Sequence, residues 1–368
     1  MSEPELDCLV IGAGVVGLAA AAEIAIAGYS VVVVDRHRRA GMESSTHNSG
    51  VIHAGLYYPA GSLKAELCVE GAARMYRLCE ALHVPCDRCG KLVVATTTSE
   101  LAALDALRIR GAANGVAGLE IVDQAFASGR EPRIRCAGAL WSPDTGRVDA
   151  STLVNVLLRQ AQKVGVIFLN HSRAIEGGPA TGAFDVRLER ETLSPRVVIN
   201  AAGLYADEVA AALGGERFRI YPCRGEYAEL KPSRRDWVNA LVYPLPHPSG
   251  HGLGVHLTKT TDGNVLLGPS IRYQERKDDY EDDRLPLEAF VESAQVFLPS
   301  LTMEDVTYGG SGIRAKLHPP DESFADFLLR RDANHPRLIH AAGIDSPGLT
   351  SCLAIAVRLR ALVQELID

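Results

Sequence analysis

The N-terminal part of the chain passes from an apolar run to a glycine-rich turn and then to an alanine-rich segment. The apolar run from Asp7 to Ile11 predicts a short strand, and Gly12-Ala13-Gly14-Val15-Val16-Gly17 follows it directly. The alanine-rich segment predicts a helix ending near Gly28, a residue type that suits a helix C-terminus. Ser30 to Asp35 predicts a second strand, buried on both faces because Val31 to Val34 is uninterrupted. The pattern therefore predicts one complete βαβ unit.

Helical and strand patterns continue to alternate along the rest of the chain. Ser62 is placed to cap a long amphipathic helix, and Ser99 to cap a later one. From about Phe218 to Gly268 the pattern changes to alternating strands with hairpin turns such as Thr261-Asp262-Gly263-Asn264. The remaining predicted elements are strands at 91–96, 166–169, 197–200 and 338–341 and helices at about 151–163, 287–297 and 348–367.

These elements predict an α/β protein with two interleaved domains. Residues 1–83, 146–218 and 326–368 are predicted to form a Rossmann-type nucleotide-binding domain, and the predicted nucleotide is FAD. A smaller α+β substrate domain, built on a mixed or antiparallel sheet, is predicted from residues 84–145 and 219–325. A chain of 368 residues is long enough to give both domains a core.

Composition argues against several classes of protein. Lys plus Arg number 38 against 45 Asp plus Glu, and a net charge of −7 without a basic cluster disfavours nucleic-acid binding. No apolar run reaches the ~18 residues that a membrane-spanning helix requires. Residues 1–5 lack the basic and apolar character of a secretory signal, so we predict a cytoplasmic protein. Peripheral contact with the inner face of a membrane stays open.

The eight cysteines are scattered, and Cys86 and Cys89 form the one suggestive spacing. No second pair completes a zinc site, so no metal is predicted. A redox-active pair is one interpretation of this spacing. Reduced thiols are favoured, because cytosolic proteins rarely keep disulfides.

The glycines of the first turn indicate a nucleotide. Gly12, Gly14 and Gly17 have the spacing of the Rossmann fingerprint, which needs a tight turn, close pyrophosphate approach and helix–strand packing. Asp35 ends the next strand at the distance expected for a ligand of the ribose 2′-OH. A glycine-rich structural turn is the alternative. An acidic residue there disfavours a 2′-phosphate, so FAD or NAD is favoured over NADP.

Two later segments favour FAD over NAD. Asn200-Ala201-Ala202-Gly203 ends a buried strand with residues small enough for a dinucleotide to lie across them, or else forms a tight strand–helix turn. The segment 343–350 starts a helix whose free N–H groups would stabilise negative charge on a reduced flavin, unless it faces an empty cleft. The candidate cofactor contacts in these segments are Ala202, Gly203, Ser346, Gly348, Leu349 and Thr350.

The segment Asn48-Ser49-Gly50-Val51-Ile52-His53-Ala54-Gly55 places one histidine among small residues. Its glycines let a flat ring approach the backbone, so Asn48, Ser49 and Gly50 are candidate cofactor contacts. The imidazole of His53 suits proton transfer near neutral pH, and a structural role is the alternative. His256 is the second candidate base, since strand alternation turns it away from its apolar neighbours, towards a pocket or towards solvent.

Three basic residues are candidates for binding a substrate carboxylate. Arg314 and Lys316 share one face if the glycine-rich segment 309–316 is extended. A guanidinium suits bidentate capture of a carboxylate, and a solvated salt bridge is the alternative. Arg224 is a further candidate of the same type.

Six motifs, taken jointly, carry a family resemblance: 48–55 with Tyr57-Tyr58-Pro59, Ser62-Leu63-Lys64-Ala65, Cys89-Gly90-Lys91-Leu92, Arg224-Gly225-Glu226-Tyr227, Gly254-Val255-His256-Leu257-Thr258 and Ser346-Pro347-Gly348-Leu349-Thr350. Over essentially the whole chain they resemble the FAD-dependent D-amino-acid oxidase superfamily. Within it the chain is most similar to the L-2-hydroxyglutarate dehydrogenase/oxidase family.

The resemblance implies a non-covalently held FAD and a substrate domain covering one face of its ring. It also places Arg314 where relatives anchor the substrate carboxylate. Thr46-His47 departs from the Ser-Arg that is usual in this family ahead of Asn48. His53 is comparable to the flavin-linking histidine of some sarcosine-type relatives, which leaves covalent attachment open.

The predicted function is oxidation of an L-2-hydroxy acid, above all L-2-hydroxyglutarate, to the 2-oxo acid. Arg314 with Lys316 would hold carboxylate charge, and His53 or His256 would take the hydroxyl proton. The alternatives are an amino-acid or sarcosine-type oxidase similar to glycine oxidase, an NAD-dependent dehydrogenase, and a flavin-binding protein without turnover. Oxygen, a quinone and a carrier protein are the candidate electron acceptors.

Overall fold

The computed structural model of this chain describes residues 6–245 and 254–368. The prediction that no secretory signal is present concerns residues 1–5, which lie outside the described residues. The described helices are α1 (Val15–Ile26), α2 (Leu63–Leu82), α3 (Leu101–Ala113), α4 (Gln124–Arg130), α5 (Ala150–Lys163), α6 (Ala206–Ala212), α7 (Leu287–Gln295) and α8 (Gly348–Ile367). The described strands are β1 (Cys8–Ile11), β2 (Val31–Val34), β3 (Val51–Ile52), β4 (Cys86–Asp87), β5 (Lys91–Ala95), β6 (Glu120–Asp123), β7 (Gly138–Ser142), β8 (Gly146–Val148), β9 (Ile167–Leu169), β10 (Ala174–Ala180), β11 (Ala183–Leu188), β12 (Thr192–Leu193), β13 (Val197–Asn200), β14 (Tyr221–Leu230), β15 (Leu241–Pro244), β16 (His256–Lys259), β17 (Val265–Gly268), β18 (Arg272–Tyr273), β19 (Val306–Lys316), β20 (Leu328–Arg331) and β21 (Leu338–Ala342).

The N-terminal βαβ unit forms the centre of a six-stranded sheet with the order β20-β21-β13-β1-β2-β9. Its strands pair in parallel except for β20, which runs antiparallel to β21. In β2, Val31 and Val33 pack into one apolar core and Val32 and Val34 into another, so the strand is buried on both faces as predicted. Helices α1, α2, α5 and α8 contribute to the first of these cores.

The carboxyl ends of the parallel strands meet at one edge of this sheet. The turn beginning at Gly12 follows β1, and Asp35 follows β2. Ala201 and Ala202 follow β13, and the segment 343–347 follows β21. Segments far apart in the sequence therefore converge at a single edge.

A second sheet of nine strands has the order β18-β14-β17-β16-β15-β5-β7-β6, with β19 also paired to β14. Its strands pair antiparallel except that β15 and β5 pair in parallel, so it is the predicted mixed sheet. The predicted hairpin turn at 261–264 joins β16 to β17. All strands of the two large sheets fall inside the ranges predicted for the respective domains, although the boundaries themselves stay a prediction.

Two capping predictions had different outcomes. The Ser62 side chain accepts a hydrogen bond from the Ala65 N–H and caps α2 as predicted. The Ser99 prediction was wrong, because Thr97 and Glu100 form a capping box on a short 3₁₀ turn that leads into α3. All eight cysteines are free thiols. Across the described ranges, the helices are too short or too polar to cross a membrane.

Candidate active site

A cavity of about 810 Å³ lies where the carboxyl edge of the six-stranded sheet meets the nine-stranded sheet. Residues from both sheets line it, which brings together positions spread over the whole chain. The predicted site residues on its wall are Gly12, Gly14, Asp35, Asn48, Ser49, Gly50, His53, Ala202, Gly203, His256, Arg314, Lys316, Ser346, Gly348 and Leu349.

The glycine turn is shaped by close backbone contacts. Gly12 has a φ of +110°, and a Cβ there would lie 2.4 Å from the Ala201 carbonyl oxygen. Gly17 does not line the cavity; a Cβ on Gly17 would lie 1.9 Å from the Gly12 carbonyl oxygen, so this glycine allows α1 to pack on the turn. Asp35 accepts hydrogen bonds from the backbone N–H groups of Ala13 (2.7 Å) and His37 (2.8 Å) and braces the turn. The N-cap residue of α1, Gly14, has no side chain to cap the helix, and the Ser45 hydroxyl accepts from the Val15 N–H at 3.1 Å. A glycine at this position suits the approach of a phosphate group to the helix start.

The Asn48 side chain holds the next loop in shape. Its Nδ2 donates to the carbonyl oxygens of Ser44 (3.0 Å) and Ser45 (2.9 Å), and its Oδ1 accepts from the Gly50 N–H at 2.8 Å. Gly50 has a φ of +67°, and a Cβ there would lie 2.4 Å from the Val148 carbonyl oxygen. The loop therefore presents its backbone to the cavity at a position where only glycine fits.

His53 lies half-buried on the cavity wall, with its Nε2 3.3 Å from the Ser346 hydroxyl. Burial, assisted by the positive charge of Lys91, lowers the pKa of His53 to about 3. The imidazole is therefore neutral near pH 7, and it accepts a proton less readily than an ordinary histidine does.

The cofactor contact predicted for Thr350 was wrong. Its side chain is buried and does not line the cavity. The Thr350 hydroxyl accepts from the His53 N–H at 3.0 Å and donates to the Val51 carbonyl oxygen at 3.3 Å. Thr350 thus ties the start of α8 to the His53 segment.

His256 is buried and faces the cavity, so the solvent-facing alternative was wrong. Its ring stacks on Tyr243, with centroids 3.5 Å apart and planes 13° apart. Leu257, the next residue on β16, packs into the core behind the sheet, as the predicted alternation requires.

Arg314 and Lys316 both line the cavity from β19, as the alternation predicted. Within residues 6–245 and 254–368 Arg314 makes no ion pair, which contradicts the salt-bridge alternative; its Nη1 reaches the Ser270 carbonyl oxygen at 3.4 Å. Lys316 Nζ lies 3.5 Å from the buried Asp345 carboxylate and 3.2 Å from His318 Nε2. The guanidinium of Arg314 therefore has charge available for an acidic ligand.

The substrate-binding role predicted for Arg224 was wrong. Its neighbours on β14, Gly225 and Tyr227, line the cavity, so alternation turns Arg224 to the opposite face. There it is fully buried and forms ion pairs with Glu226 (2.9 Å) and Asp279 (3.1 Å). Arg224 stabilises the substrate-domain sheet and does not reach a ligand in the cavity.

Lys64 and Asp345 belong to the site although sequence reasoning assigned them no role. Lys64 Nζ lies 2.7 Å from Asp345 Oδ1. Burial alone would raise the pKa of Asp345, but the charges of Lys64 and Lys316 outweigh it and hold that pKa below its usual value. Lys64 lies in one of the six motifs and Asp345 in the segment 343–350, yet nothing in the local pattern shows that a lysine of α2 meets the loop before α8.

Comparison with known proteins identifies relatives over nearly the full length. Residues 7–362 match the model of the DAO family, described as FAD dependent oxidoreductase. The chain is 35% identical to the mitochondrial L-2-hydroxyglutarate dehydrogenase of Arabidopsis thaliana, covering 97% of this chain and 83% of that protein. It is 30% identical to the L-2-hydroxyglutarate dehydrogenase of Salmonella houtenae, covering 98% and 93%.

Two solved structures share the fold. The FAD-bound L-alpha-glycerophosphate oxidase of Mycoplasma pneumoniae superposes with a TM-score of 0.88 at 26% identity, covering 99% of this chain and 95% of that one. Glycine oxidase of Geobacillus kaustophilus superposes with a TM-score of 0.83 at 20% identity, covering 98% and 94%, which shows the fold alone.

Proposed function

Because this chain belongs to the DAO family of FAD-dependent oxidoreductases, we propose that it oxidises L-2-hydroxyglutarate to the corresponding 2-oxo acid. Bound FAD would supply the redox chemistry as the hydride acceptor. The observation that carries the proposal is the guanidinium of Arg314, which has no ion-pair partner in the described ranges, in the same cavity as the neutral imidazole of His53. The names of the relatives from Arabidopsis thaliana and Salmonella houtenae support the choice of substrate.

The cavity fits FAD by its backbone contacts as well as by its residue types. Gly12 and Gly50 lie where a Cβ would collide with the facing backbone, so glycine lets these two turns pack closely while their backbone lines the cavity. The glycine turn at the start of α1 would receive the pyrophosphate, and Asp35 would bind the ribose. The loop 48–50 and the uncapped start of α8 would hold the ring, with the helix dipole favouring negative charge there.

The charges around Asp345 favour a substrate with two carboxylates. Lys64, Arg314 and Lys316 supply three positive charges to this part of the cavity, and Asp345 supplies one negative charge. His318 adds none, because burial lowers its pKa and its Nε2 faces Lys316 Nζ at 3.2 Å. An excess of two positive charges matches a dicarboxylate such as L-2-hydroxyglutarate.

The chain's own residues would orient the substrate and remove a proton. Arg314 would bind the carboxylate next to the hydroxyl group and fix the direction of the Cα–H bond. His53 would accept the hydroxyl proton on a ring nitrogen, a step worth on the order of 10²–10⁴-fold in rate. His256, stacked on Tyr243, is the second candidate for this proton.

Anaerobic mixing of the purified flavoprotein with L-2-hydroxyglutarate is expected to bleach the flavin absorbance. D-2-hydroxyglutarate serves as the matched control and should leave the spectrum unchanged. Bleaching by glycine or sarcosine in place of the hydroxy acid would support the amine-oxidase alternative. A flavin that none of these compounds reduces would refute the proposal and support the non-catalytic alternative.

Lys316→Met is expected to lower kcat/KM for L-2-hydroxyglutarate by about 100-fold, because a charged hydrogen bond to the second carboxylate contributes roughly 1.5–3 kcal/mol. Oxidation of L-lactate, which lacks that carboxylate, should change much less. Steady-state kinetics with both acids measures the difference, and Lys231→Met on the surface is the control. An equal loss with both acids would contradict a role in dicarboxylate selectivity.

The cytoplasmic location and the candidate acceptors oxygen, quinone and carrier protein stay predictions. The relative from Arabidopsis thaliana is named as mitochondrial. Fractionation of the producing cells followed by an activity assay with each acceptor would test location and acceptor together.

A further inference from the structure

Lys91 is a buried amine that the proposed mechanism does not use. It begins β5 and is fully buried, and its Nζ has no hydrogen-bond partner among residues 6–245 and 254–368. It shares its strand face with Val93 and Ala95, which pack in an apolar cluster with Leu56. Lysine is almost never fully buried without a partner, because removing its charge from water is unfavourable. A position that lowers stability in this way is a candidate for a functional role.

Two aromatic rings beside Lys91 connect it to the cavity. Its Nζ lies 4.5 Å from the ring centre of Tyr57 and 4.8 Å from that of Tyr243, within the range of cation–π attraction. Both tyrosines line the cavity, whereas Lys91 does not. The ammonium group therefore contacts rings that form the wall of the site.

The same charge is linked to both candidate bases. Tyr243 stacks on His256 at 3.5 Å, so the position of one ring sets that of the other. The charge of Lys91 also opposes protonation of His53, so a charged Lys91 favours His256 over His53 as the proton acceptor. Lys91 is thus coupled to His256 by packing and to His53 by electrostatics.

We propose that Lys91 is a positioning residue of the oxidation site, whose buried ammonium group holds Tyr57 and Tyr243, and through Tyr243 the ring of His256, in the reactive arrangement. The role in oxidation rests on the proposed function. It implies that Lys91 lowers the stability of the fold while raising the reaction rate, which is the opposite of what a structural residue does.

The effect of pH on stability follows from the burial of Lys91. The groups that face its amine are Tyr57, Tyr243, His53 and Cys68 of α2, and none of them is an acid near neutral pH. Burial lowers the pKa of Lys91 from 10.5 to about 7. Below about pH 7 the folded protein carries the full unfavourable charge, and this penalty declines as pH rises from 7 towards 10.5, because the unfolded chain there binds more protons.

The test compares Lys91→Met, Lys91→Arg and the surface control Lys163→Met as FAD-loaded proteins. Melting temperatures at pH 6 and pH 9.5 need no substrate, so they report on Lys91 even if the proposed function fails. Lys91→Met should melt at or above the wild-type temperature, with the larger gain at pH 6. A Lys91→Met protein that melts below wild type at pH 6 would overturn the inference by showing a structural role.

Rapid-mixing kinetics with L-2-hydroxyglutarate supplies the second measurement. The limiting rate of flavin reduction should fall about tenfold in Lys91→Met, with little change in substrate affinity. In wild type this limiting rate should fall as pH rises, with an inflection at or above pH 7 where Lys91 loses its proton. Lys91→Met should lack the inflection, and Lys91→Arg, charged throughout, should restore the rate without it. A Lys91→Met protein that keeps the wild-type rate or the inflection would overturn the proposal.

Discussion

Replacing Arg314 by methionine is expected to lower kcat/KM for L-2-hydroxyglutarate by about 1,000-fold, equivalent to roughly 4 kcal/mol, while FAD stays bound. Arg314 makes no ion pair in the described part of the chain, so its charge is available to the substrate carboxylate. Methionine keeps the apolar stem of the side chain but removes every donor. Steady-state kinetics and the flavin content per chain measure the two effects.

Arg276→Met is the matched control for Arg314→Met. Arg276 pairs at the surface with Asp278 and Asp282, and exposed pairs of this kind contribute little. Arg314→Lys should recover part of the activity, because an ammonium group keeps the charge but cannot bind a carboxylate bidentately. If Arg314→Met oxidised L-2-hydroxyglutarate at the wild-type rate, the carboxylate would have to bind elsewhere.

Replacing Gly17 by alanine is expected to remove most of the bound FAD and to lower the free energy of unfolding by about 1–3 kcal/mol or more. The added Cβ would lie 1.9 Å from the Gly12 carbonyl oxygen. This oxygen belongs to the backbone, so it cannot move aside by a change of side-chain rotamer. Helix α1 would have to move away from the turn that presents N–H groups to the pyrophosphate. Flavin absorbance per chain and denaturant unfolding measure the two effects.

Gly129→Ala gives this prediction a control of the same chemistry. Gly129 lies in α4, and a Cβ there would have no atom within 4 Å. Alanine should raise stability by about 0.5–1 kcal/mol, because glycine loses more backbone freedom on folding. A Gly17→Ala protein that kept its FAD and its stability would contradict the packing role assigned to Gly17.

The elements that the sequence predicted well have local causes. Ser62 caps α2 because a hydroxyl at that position accepts a bond from an N–H three residues later. The capping role predicted for Ser99 was wrong because Thr97 and Glu100 form a capping box across a short turn. Capping was therefore predictable where a single candidate was present and ambiguous where several polar residues follow one another.

The candidate site was predictable in part. Strand alternation placed Arg314 and Lys316 on one face, and both reach the cavity. The same rule could not place Arg224. Alternation separates the two faces of β14, but which face lines the cavity depends on what packs against the strand. Thr350 was assigned to the cofactor from its motif, yet its hydroxyl bonds to the backbone of the His53 segment.

By itself the sequence determined the glycine turn, the βαβ unit and the start of α8, which depend on backbone freedom, helix starts and apolar runs that act over a few residues. The character of an FAD-dependent oxidoreductase followed from the family resemblance that six motifs carry jointly. Only the tertiary structure decided that Arg314 has no ion-pair partner among the described residues, that Lys64 and Lys316 share Asp345, and that Lys91 lies buried beside Tyr57 and Tyr243. Such contacts join segments far apart in the chain, so their existence depends on how the two large sheets pack together and not on any local pattern.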